Sequence, residues 1–431
     1  MTTILAFLFV LGVLVFVHEL GHFLVARWYG VRVITFSLGF GPKLLKVQRG
    51  ATEYCVSVVP LGGYVKLAGE SVEDNRTGAP DEFMSKSKWV RFQVYLAGPI
   101  MNLLLAVIVT AAVLARGADV PLYESQPAVV GSLSKNSPAL AAGVQPGDRI
   151  DSVDGKPTPT WDAVGFAVVT KANREIVLGV TRNGQPMEIR ITPEGIGRYQ
   201  LGDIGVLPLL RPSFVEITSG GRAEAAGLKR GDVLIALNGE RGLSQPEMYK
   251  WLKESGGKPV TFTFERDGQT SDVTITPDLK TGSPLFGVRI ISYEFKTVNP
   301  DAITALKMSA KQNWESAVQI GQTLKGLFTR ETPVGQLMGP IAIADLSGTA
   351  ASLGILSLLN LMSMISLNLG LLNLMPIPVM DGGQIAILAV EGLARRDLSI
   401  RVKERILMAG AALVVMLMVT VIYNDIARLL R

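Results

Sequence analysis

Four long segments without a charged residue constrain the fold of this chain more than any other feature. Within its 431 residues they occupy positions 1–18, 92–115, 346–380 and 406–424. Each is long enough to cross the hydrocarbon core of a bilayer as a helix, which takes about 20 apolar residues. The first lacks the basic start of a signal peptide and continues as an apolar stretch to Ala26. The sequence therefore predicts a polytopic α-helical membrane protein with four transmembrane helices.

Basic residues near the span ends predict the orientation, because Lys and Arg next to a span stay in the cytoplasm. They follow the first span, precede the second and separate the third from the fourth: Arg27, Arg32, Lys43, Lys46, Lys86, Lys88, Arg91, Arg395, Arg396, Arg401, Lys403 and Arg405. We therefore expect spans at 1–28, 92–116, 346–383 and 406–431, with 29–91 and 384–405 in the cytoplasm. The amino terminus and residues 117–345 are then outside.

The outer segment contains an internal repeat. Residues 138–155 align with residues 222–239, at an offset of 84 positions, which is 222 minus 138. Each copy reads as a short helix, a glycine stop, a Gly-Asp turn and an alternating strand that ends in Asp-Gly or Asn-Gly, a tight-turn signature. The repeat predicts two tandem α+β modules, at 117–204 and 205–292.

Amphipathic linker helices are expected at 293–345, after the second module. Apolar residues recur there at helical spacing between lysines, most clearly in the segment 300–328. Such a stripe either lies on the outer membrane surface and acts as a gate, or packs on its own domain. The second interpretation is slightly favoured, because packing within a domain is the commoner use of such a stripe.

The chain contains two histidines, and both belong to the sequence His18-Glu19-Leu20-Gly21-His22 inside the first span. Residues four apart share one helix face, so both imidazoles can ligate one ion while the intervening glutamate reaches a water beside it. This short pattern also arises by chance. Ionisable side chains inside a membrane, however, cost several kcal/mol and are functional by default. The motif therefore predicts a metal site with an adjacent general base.

The third protein ligand must be a carboxylate or Cys55, because the sequence offers no further histidine. Carboxylates near the span ends are Asp345, Asp381, Glu391 and Asp425. Asp381 is favoured, because it leaves the third span towards the cytoplasmic side where His18 is expected. Two prolines break the helix before it, and non-helical backbone at membrane depth survives where protein or a water-filled cavity shelters it. The alternative is an exit turn in which Asp381 caps the next helix.

The repeat resembles the PDZ domain in its bacterial, circularly permuted form, on the shared pattern AG-x-x-x-GD-x-[IV]-x-x-[VL]-[ND]-G. The resemblance implies that each module can hold an extended peptide against a sheet edge. Residues 128–133 and 214–218 are then the expected groove walls. The alternative is that the modules are closed spacers that block access.

The chain as a whole resembles the site-2 protease family. The motifs that carry the resemblance are His18-Glu19-Leu20-Gly21-His22, Gly39-Phe40-Gly41, Pro60-Leu61-Gly62-Gly63-Tyr64-Val65-Lys66, Gly98-Pro99-Ile-Met-Asn102 and Asn373-x-x-Pro376-x-Pro378-x-x-Asp381-Gly382. They occur in order along essentially the whole chain, together with the paired PDZ-like modules. The resemblance implies a membrane-embedded metalloprotease fold.

The same resemblance assigns roles to individual residues. It implies that Zn²⁺ is held by His18, His22 and Asp381, that Glu19 is the general base, and that Asn373 positions the substrate or stabilises the intermediate. It also implies a membrane-re-entrant β-hairpin whose edge binds substrate through Gly62, Gly63, Tyr64, Val65, Lys66 and Leu67. No role follows for Asn102.

The function implied is that of a zinc metalloendopeptidase (EC 3.4.24) in the bacterial inner membrane. Its expected substrates are single-span membrane proteins of the anti-sigma-factor type, after a first cut outside the membrane, and remnant signal peptides. The expected partners are these substrates, the lipid bilayer and peptides at the PDZ grooves. The small net charge of +5 does not suggest nucleic acid. The alternative is a non-catalytic PDZ scaffold with a structural metal site, which would not need Glu19 beside the ligands.

Overall fold

The structure is a computed structural model, and it describes residues 2–70, 77–197, 200–241, 248, 258–276, 287–329 and 338–429. The chain divides into two compact units. The first comprises Met1–Arg116, Asn299–Lys325 and Leu337–Arg431. The second comprises Gly117–Val298 with Gly326–Gln336.

Among the described residues, helices lie mostly in the first unit and strands mostly in the second. The helices are α1 (Thr2–Trp28), α2 (Lys88–Ala115), α3 (Pro138–Ala141), α4 (Trp161–Val169), α5 (Arg222–Ala225), α6 (Ala302–Phe328), α7 (Pro340–Leu353), α8 (Ile355–Asn373), α9 (Asp381–Leu393) and α10 (Ile400–Leu429). The strands are β1 (Val33–Arg49), β2 (Thr52–Leu67), β3 (Ala118–Pro121), β4 (Val130–Leu133), β5 (Arg149–Val153), β6 (Lys156–Pro157), β7 (Ile176–Arg182), β8 (Gln185–Ile191), β9 (Glu194–Ile196), β10 (Leu201–Asp203), β11 (Val206–Pro208), β12 (Ser213–Ile217), β13 (Val233–Leu237), β14 (Glu240–Arg241), β15 (Val260–Arg266), β16 (Gln269–Ile275), β17 (Val288–Ile291) and β18 (Phe295–Val298).

Four described helices are long and apolar enough to cross a membrane, which agrees with the predicted polytopic membrane protein. They are α1, α2, α8 and the part of α10 between Arg401 and Ala427. The first unit therefore carries the membrane-spanning part of the chain.

The third apolar segment is not one continuous helix, as a single span at 346–383 would require. α7 ends at Leu353, and Gly354 has φ of 112°, a value that L-residues with a side chain rarely adopt. α8 begins directly after it and ends at Asn373, before the two prolines. The apolar run of 35 residues, from 346 to 380, exceeds the length of one span, and the excess is used for α7 and for the turn after α8.

Small residues let α1 and α8 approach α2 closely. A Cβ on Gly21 of α1 would lie 2.4 Å from the carbonyl oxygen of Ala97, and one on Gly370 of α8 would lie 2.8 Å from Cδ2 of Leu103. Lipid provides no hydrophobic driving force between helices, so close backbone approach and packing hold such helices together. α2 is therefore packed between α1 and α8.

The hairpin of β1 and β2 is irregular, and its pairing shifts repeatedly along its length. Phe36 of β1 is opposite both Val65 and Tyr54 of β2, so the first half of β1 lies between two runs of β2. Among the described strands, none pairs with the other side of the run 63–67. That run is therefore an open edge.

The open edge of β2 packs on the apolar helix α1. A Cβ on Gly63 would lie 2.8 Å from Cγ1 of Val15 and 3.2 Å from Cγ of Glu19. Phe23 of α1 and Phe36 of β1 meet edge to face, with ring centroids 5.3 Å apart, in one hydrophobic cluster. These contacts place the edge beside the His-Glu segment of α1.

α6 contacts α2 through its polar face. Ser309 Oγ donates a hydrogen bond to the carbonyl oxygen of Val107 at 2.7 Å, and Asn313 Nδ2 donates to Oγ1 of Thr110 at 3.4 Å. The apolar stripe on another side of α6 is exposed, at 72% for Trp314. Packing of this stripe on its own domain, the slightly favoured interpretation of the sequence, is therefore not what the described residues show.

The second unit contains the two predicted copies of one strand and helix arrangement. The first has the sheet β6-β5-β7-β8 over a core that includes Ile150 and Leu178, and the second has β16-β15-β13-β12-β17 over a core that includes Phe214 and Phe262. The helix, strand and turn of one copy recur 84 residues later in the other: α3 with α5, β5 with β13, and β7 with β15. The repeat in the sequence is therefore a repeat in the structure.

An ion pair between a buried aspartate and a half-buried arginine is repeated at the same offset. Nε of Arg182 donates to Asp148 Oδ1 at 2.7 Å, and Nε of Arg266 donates to Asp232 Oδ1 at 2.6 Å. Both arginines also donate to the carbonyl oxygen of the glycine that ends the short helix. Each pair therefore fastens its Gly-Asp turn to the neighbouring strand of the same sheet.

The pair in the first module makes that module sensitive to acid. The hydrogen bonds from Arg182 hold the pKa of Asp148 below its ordinary value. Because the pKa of Asp148 is lower in the folded module than in the unfolded chain, where it is about 3.9, the ionised carboxylate stabilises the folded module at pH values above the unfolded-state pKa. This stabilisation is lost as the pH falls through the folded-state pKa. We expect amide exchange of β7 in the full chain, after correction for intrinsic exchange rates, to be constant near neutral pH and to accelerate below about pH 4.

Hydrogen exchange with mass spectrometry measures this. Arg182→Met should raise exchange of β7 at neutral pH and flatten its acid dependence. Arg190→Met on β8 is the matched control, because its pair with Glu175 is exposed and contributes little. Equal behaviour of the two variants would contradict the prediction.

Candidate active site

The two histidines of α1 and the first residue of α9 converge on one point. Nε2 of His18 and Nε2 of His22 are 3.2 Å apart, and the Asp381 carboxylate oxygens lie 3.2 Å from the former and 3.5 Å from the latter. Ligands at 2.0–2.1 Å from a tetrahedral ion stand about 3.4 Å from one another. The three side chains therefore fit one zinc-sized ion and leave its fourth position open.

The break after α8 brings Asp381 to this point. α8 ends at Asn373, a short proline-containing turn follows, and α9 begins at Asp381. The turn folds back tightly on the first residues of α9: a Cβ on Gly382 would lie 2.3 Å from the carbonyl oxygen of Leu374, and one on Gly383 2.1 Å from that of Ile377. Two consecutive glycines are therefore needed for the carboxylate to reach the histidines.

α2 forms the wall against which the imidazoles lie. Nδ1–H of His22 donates to the carbonyl oxygen of Val94 at 2.7 Å. A Cβ on Gly98 would lie 2.3 Å from Nε2 of His22 and 2.8 Å from Nε2 of His18. Both metal-facing nitrogens therefore occupy space that a side chain at position 98 would fill.

Glu19 lies beside the three converging side chains and contacts the hairpin. Its side chain lies against the open edge of β2, where a Cβ on Gly63 would be 3.2 Å from Cγ of Glu19. A cavity of about 420 Å³ surrounds the group and is lined by His18, Glu19, His22, Phe40, Gly63, Tyr64, Val65, Leu67, Glu70, Val94, Tyr95, Asn373, Val379, Met380 and Asp381. The cavity therefore joins the carboxylate, the histidines and the open edge.

Most of the expected site residues line this cavity. Asn373 and four residues of the expected substrate edge, Gly63, Tyr64, Val65 and Leu67, do so. Gly62 and Lys66 do not line it. The Phe40 ring lies against Gly62, where a Cβ would be 2.1 Å from it, and stacks on Tyr64 with ring centroids 6.2 Å apart.

The other candidates for the third ligand lie elsewhere. Asp425 accepts hydrogen bonds from the backbone N–H of Gly339, just before α7, and from those of Ile341 and Ala342 in the first turn of α7. Glu391 pairs with a lysine, and Cys55 is buried in β2. In the described part of the chain, His18, His22 and Asp381 form the one group of this kind whose ligand atoms all lie within 4.8 Å of one another.

Sequence reasoning missed several residues of the site. Glu70 and Tyr95 line the cavity, Gly98 provides the space for the imidazoles, and Asn102 contacts His18. Gly98 and Asn102 stand in a recognisable motif of α2, but no feature of that motif points to the histidines. A glycine next to a proline inside a span was the available signal, since it marks a place where something approaches the backbone closely.

Comparison with known proteins supports a common fold and activity. The sequence model that describes peptidase family M50 matches residues 6–417 of this chain. A relative from Neisseria meningitidis, whose name contains the words zinc metalloprotease, is 34% identical over 100% of both chains. The regulator of sigma-E protease RseP is 33% identical in Salmonella typhimurium and 32% identical in Escherichia coli, each over 98% of both chains. The chain therefore belongs to peptidase family M50 and is a membrane metalloprotease of the site-2 type.

Proposed function

We propose that the chain is a zinc-dependent intramembrane endopeptidase that cuts single-span membrane proteins. In this proposal His18, His22 and Asp381 hold Zn²⁺, and Glu19 is the general base. The observation that carries the proposal is the convergence of three ligand atoms at 3.2–3.5 Å on a membrane helix. Two imidazoles, one carboxylate and an open position are the donor set of a catalytic zinc site.

Different residues of the chain have different roles in the proposed reaction. Bound zinc supplies a water of lowered pKa and polarises the scissile carbonyl. Glu19 takes a proton from the attacking water and delivers it to the leaving amine. Asn373 lines the same cavity and carries an amide that can donate a hydrogen bond to the substrate carbonyl. A structural metal site in a scaffold would require neither residue, so both favour the enzyme.

The open edge of β2 is suited to hold an unwound substrate. A transmembrane helix satisfies its backbone groups internally, so cleavage requires a segment to unwind and find new partners. An added strand on the run 63–67 would satisfy those groups beside Glu19. The open pairing side of this run and its position in the cavity support the proposal. The hairpin is then membrane-re-entrant, with Gly62 and Lys66 completing the edge.

The two modules of the second unit act outside the membrane as PDZ domains. Their repeated helix, Gly-Asp turn and strand support this assignment. They either bind extended peptides or exclude substrates with bulky outer domains. The positions of the basic residues support a periplasmic location of the modules and the amino terminus, in the inner membrane of a bacterium.

The substrate class is that of anti-sigma-factor-like membrane proteins already trimmed outside, with remnant signal peptides as a second class. Two relatives that bear the name regulator of sigma-E protease RseP support this proposal, and each is matched over 98% of its length. A protein that is already trimmed has lost its outer domain, which agrees with exclusion by the paired modules.

Replacing Glu19 and Asp381 separately tests the proposal. Glu19→Gln should abolish cleavage of a single-span substrate, a loss of at least about 100-fold, while zinc stays bound. Asp381→Asn should lower both zinc affinity and cleavage, because the amide is a poorer ligand. The measurements are cleavage by purified protein in detergent and zinc content. Zinc bound by the wild type without cleavage of several substrates would favour the scaffold instead.

A further inference from the structure

Asn102 of α2 lies beside His18 in the interior of the first unit. Its side chain is completely buried, and its Nδ2 is 3.2 Å from Nδ1 of His18. Its amide oxygen Oδ1 is also buried and has no hydrogen-bond partner among the described residues. We propose that Asn102 is a positioning residue, which holds Nε2 of His18 towards the metal by accepting a hydrogen bond from His18 Nδ1–H. This inference rests on the proposed zinc site.

The chemistry of imidazole fixes which end of the amide faces His18. A neutral imidazole that binds a metal through Nε2 carries its proton on Nδ1, and that N–H needs an acceptor. Nε2 of His18 faces His22 and Asp381, so Nδ1 is the nitrogen that faces Asn102. The two ends of an amide have the same shape, so a half-turn of the side chain brings Oδ1 to Nδ1–H.

The same residue suits the other tautomer of His18. If Nε2 carries the proton, Nε2–H can donate to the Asp381 carboxylate, 3.2 Å away, and Nδ1 can accept from Asn102 Nδ2, also 3.2 Å away. An amide therefore serves both tautomers of His18, because it offers a donor at one end and an acceptor at the other. A carboxylate would serve the metal-bound tautomer alone, and an apolar side chain would serve neither.

Both ligand histidines obtain their second partner from α2. Nδ1–H of His22 donates to the carbonyl oxygen of Val94, eight residues before Asn102. The backbone of Asn102 is itself held, because Ser366 Oγ of α8 donates to its carbonyl oxygen at 2.7 Å. Partners of this kind fix ring orientation and tautomer, and their loss typically weakens metal binding about 10- to 100-fold.

Zinc affinity of the full chain in detergent, measured by chelator competition, tests the assignment. Asn102→Leu should weaken zinc binding about 10- to 100-fold, because no acceptor remains for Nδ1–H. Asn102→Asp should bind zinc as tightly as the wild type or more tightly. Thr110→Val is the matched control: this buried α2 side chain bonds Ser363 Oγ at 2.6 Å, and its loss should leave zinc affinity unchanged.

Nitrogen NMR separates positioning from packing, and the chain is favourable because it contains two histidines. In zinc-loaded protein labelled with 15N-histidine, Asn102→Leu should shift the Nδ1 resonance of His18. The resonance of His22 should stay, because its partner is the carbonyl of Val94. If Asn102→Leu does not fold, Asn102→Ala, which adds no bulk, takes its place.

Two outcomes would overturn the assignment while zinc still binds to the wild type. One is unchanged zinc affinity and an unchanged His18 resonance in the apolar variant. The other is equal weakening by Asn102→Leu and Asn102→Asp, which would show that shape rather than an acceptor matters. Failure of the wild type to bind zinc would instead contradict the proposed function, and this inference with it.

Discussion

Gly98→Ala is expected to eliminate zinc binding and cleavage together. The new Cβ would lie 2.3 Å from Nε2 of His22 and 2.8 Å from Nε2 of His18, so the methyl group clashes with both metal-facing nitrogens. The imidazoles must then move apart or α1 must move away from α2. A displacement of about 1 Å costs roughly 100-fold in rate, so cleavage should fall at least about 100-fold.

Zinc affinity and cleavage of Gly98→Ala, measured in detergent, check this. Gly12→Ala on α1 is the matched control, because a Cβ there meets nothing within 4 Å. Its effect should be near zero or slightly stabilising, since alanine favours helix over glycine by up to about 1 kcal/mol. Wild-type zinc affinity in Gly98→Ala would show that the two nitrogens do not lie where the structure has them.

Lys403→Met is expected to destabilise the membrane unit by about 3–5 kcal/mol, the cost of leaving a buried charge without its partner. Glu391 of α9 is completely buried, and its Oε1 lies 2.6 Å from Nζ of Lys403 on α10. Its other carboxylate oxygen has no hydrogen-bond partner among the described residues. The backbone N–H of Leu398 still donates to Oε1, so some compensation remains.

Thermal unfolding in detergent measures the effect, with Lys311→Met as the control, because that lysine is 78% exposed and its pair with Glu315 is weak. The double variant Lys403→Met, Glu391→Leu should recover most of the stability, because an apolar pair of similar volume can replace a buried ion pair. A loss in the single variant no larger than in the control would contradict the prediction. So would a double variant as unstable as the single one.

Much of the fold could be predicted from local features of the sequence. The four spans follow from the absence of charge over about 20 residues, and the two modules follow from a repeat of 84 positions. The extent of the third helix could not be predicted in this way. An apolar run of 35 residues does not reveal that Gly354 divides it, because hydropathy carries no information about φ.

In the candidate site, too, some features could be predicted from the sequence and others could not. The sequence by itself determined the chemistry: two histidines and a glutamate close together on a membrane helix, with Cys55 or one of a few carboxylates near the span ends as the third ligand. The order of the spans already favoured Asp381, but only the tertiary structure shows its carboxylate 3.2 Å from Nε2 of His18, although 363 positions (381 minus 18) separate the two residues. The tertiary structure also decided that Gly98 gives the histidines space and that Asn102 meets one ring. Helical periodicity fixes neighbours within a turn, whereas contacts between distant segments depend on how the helices pack, and no local pattern encodes that.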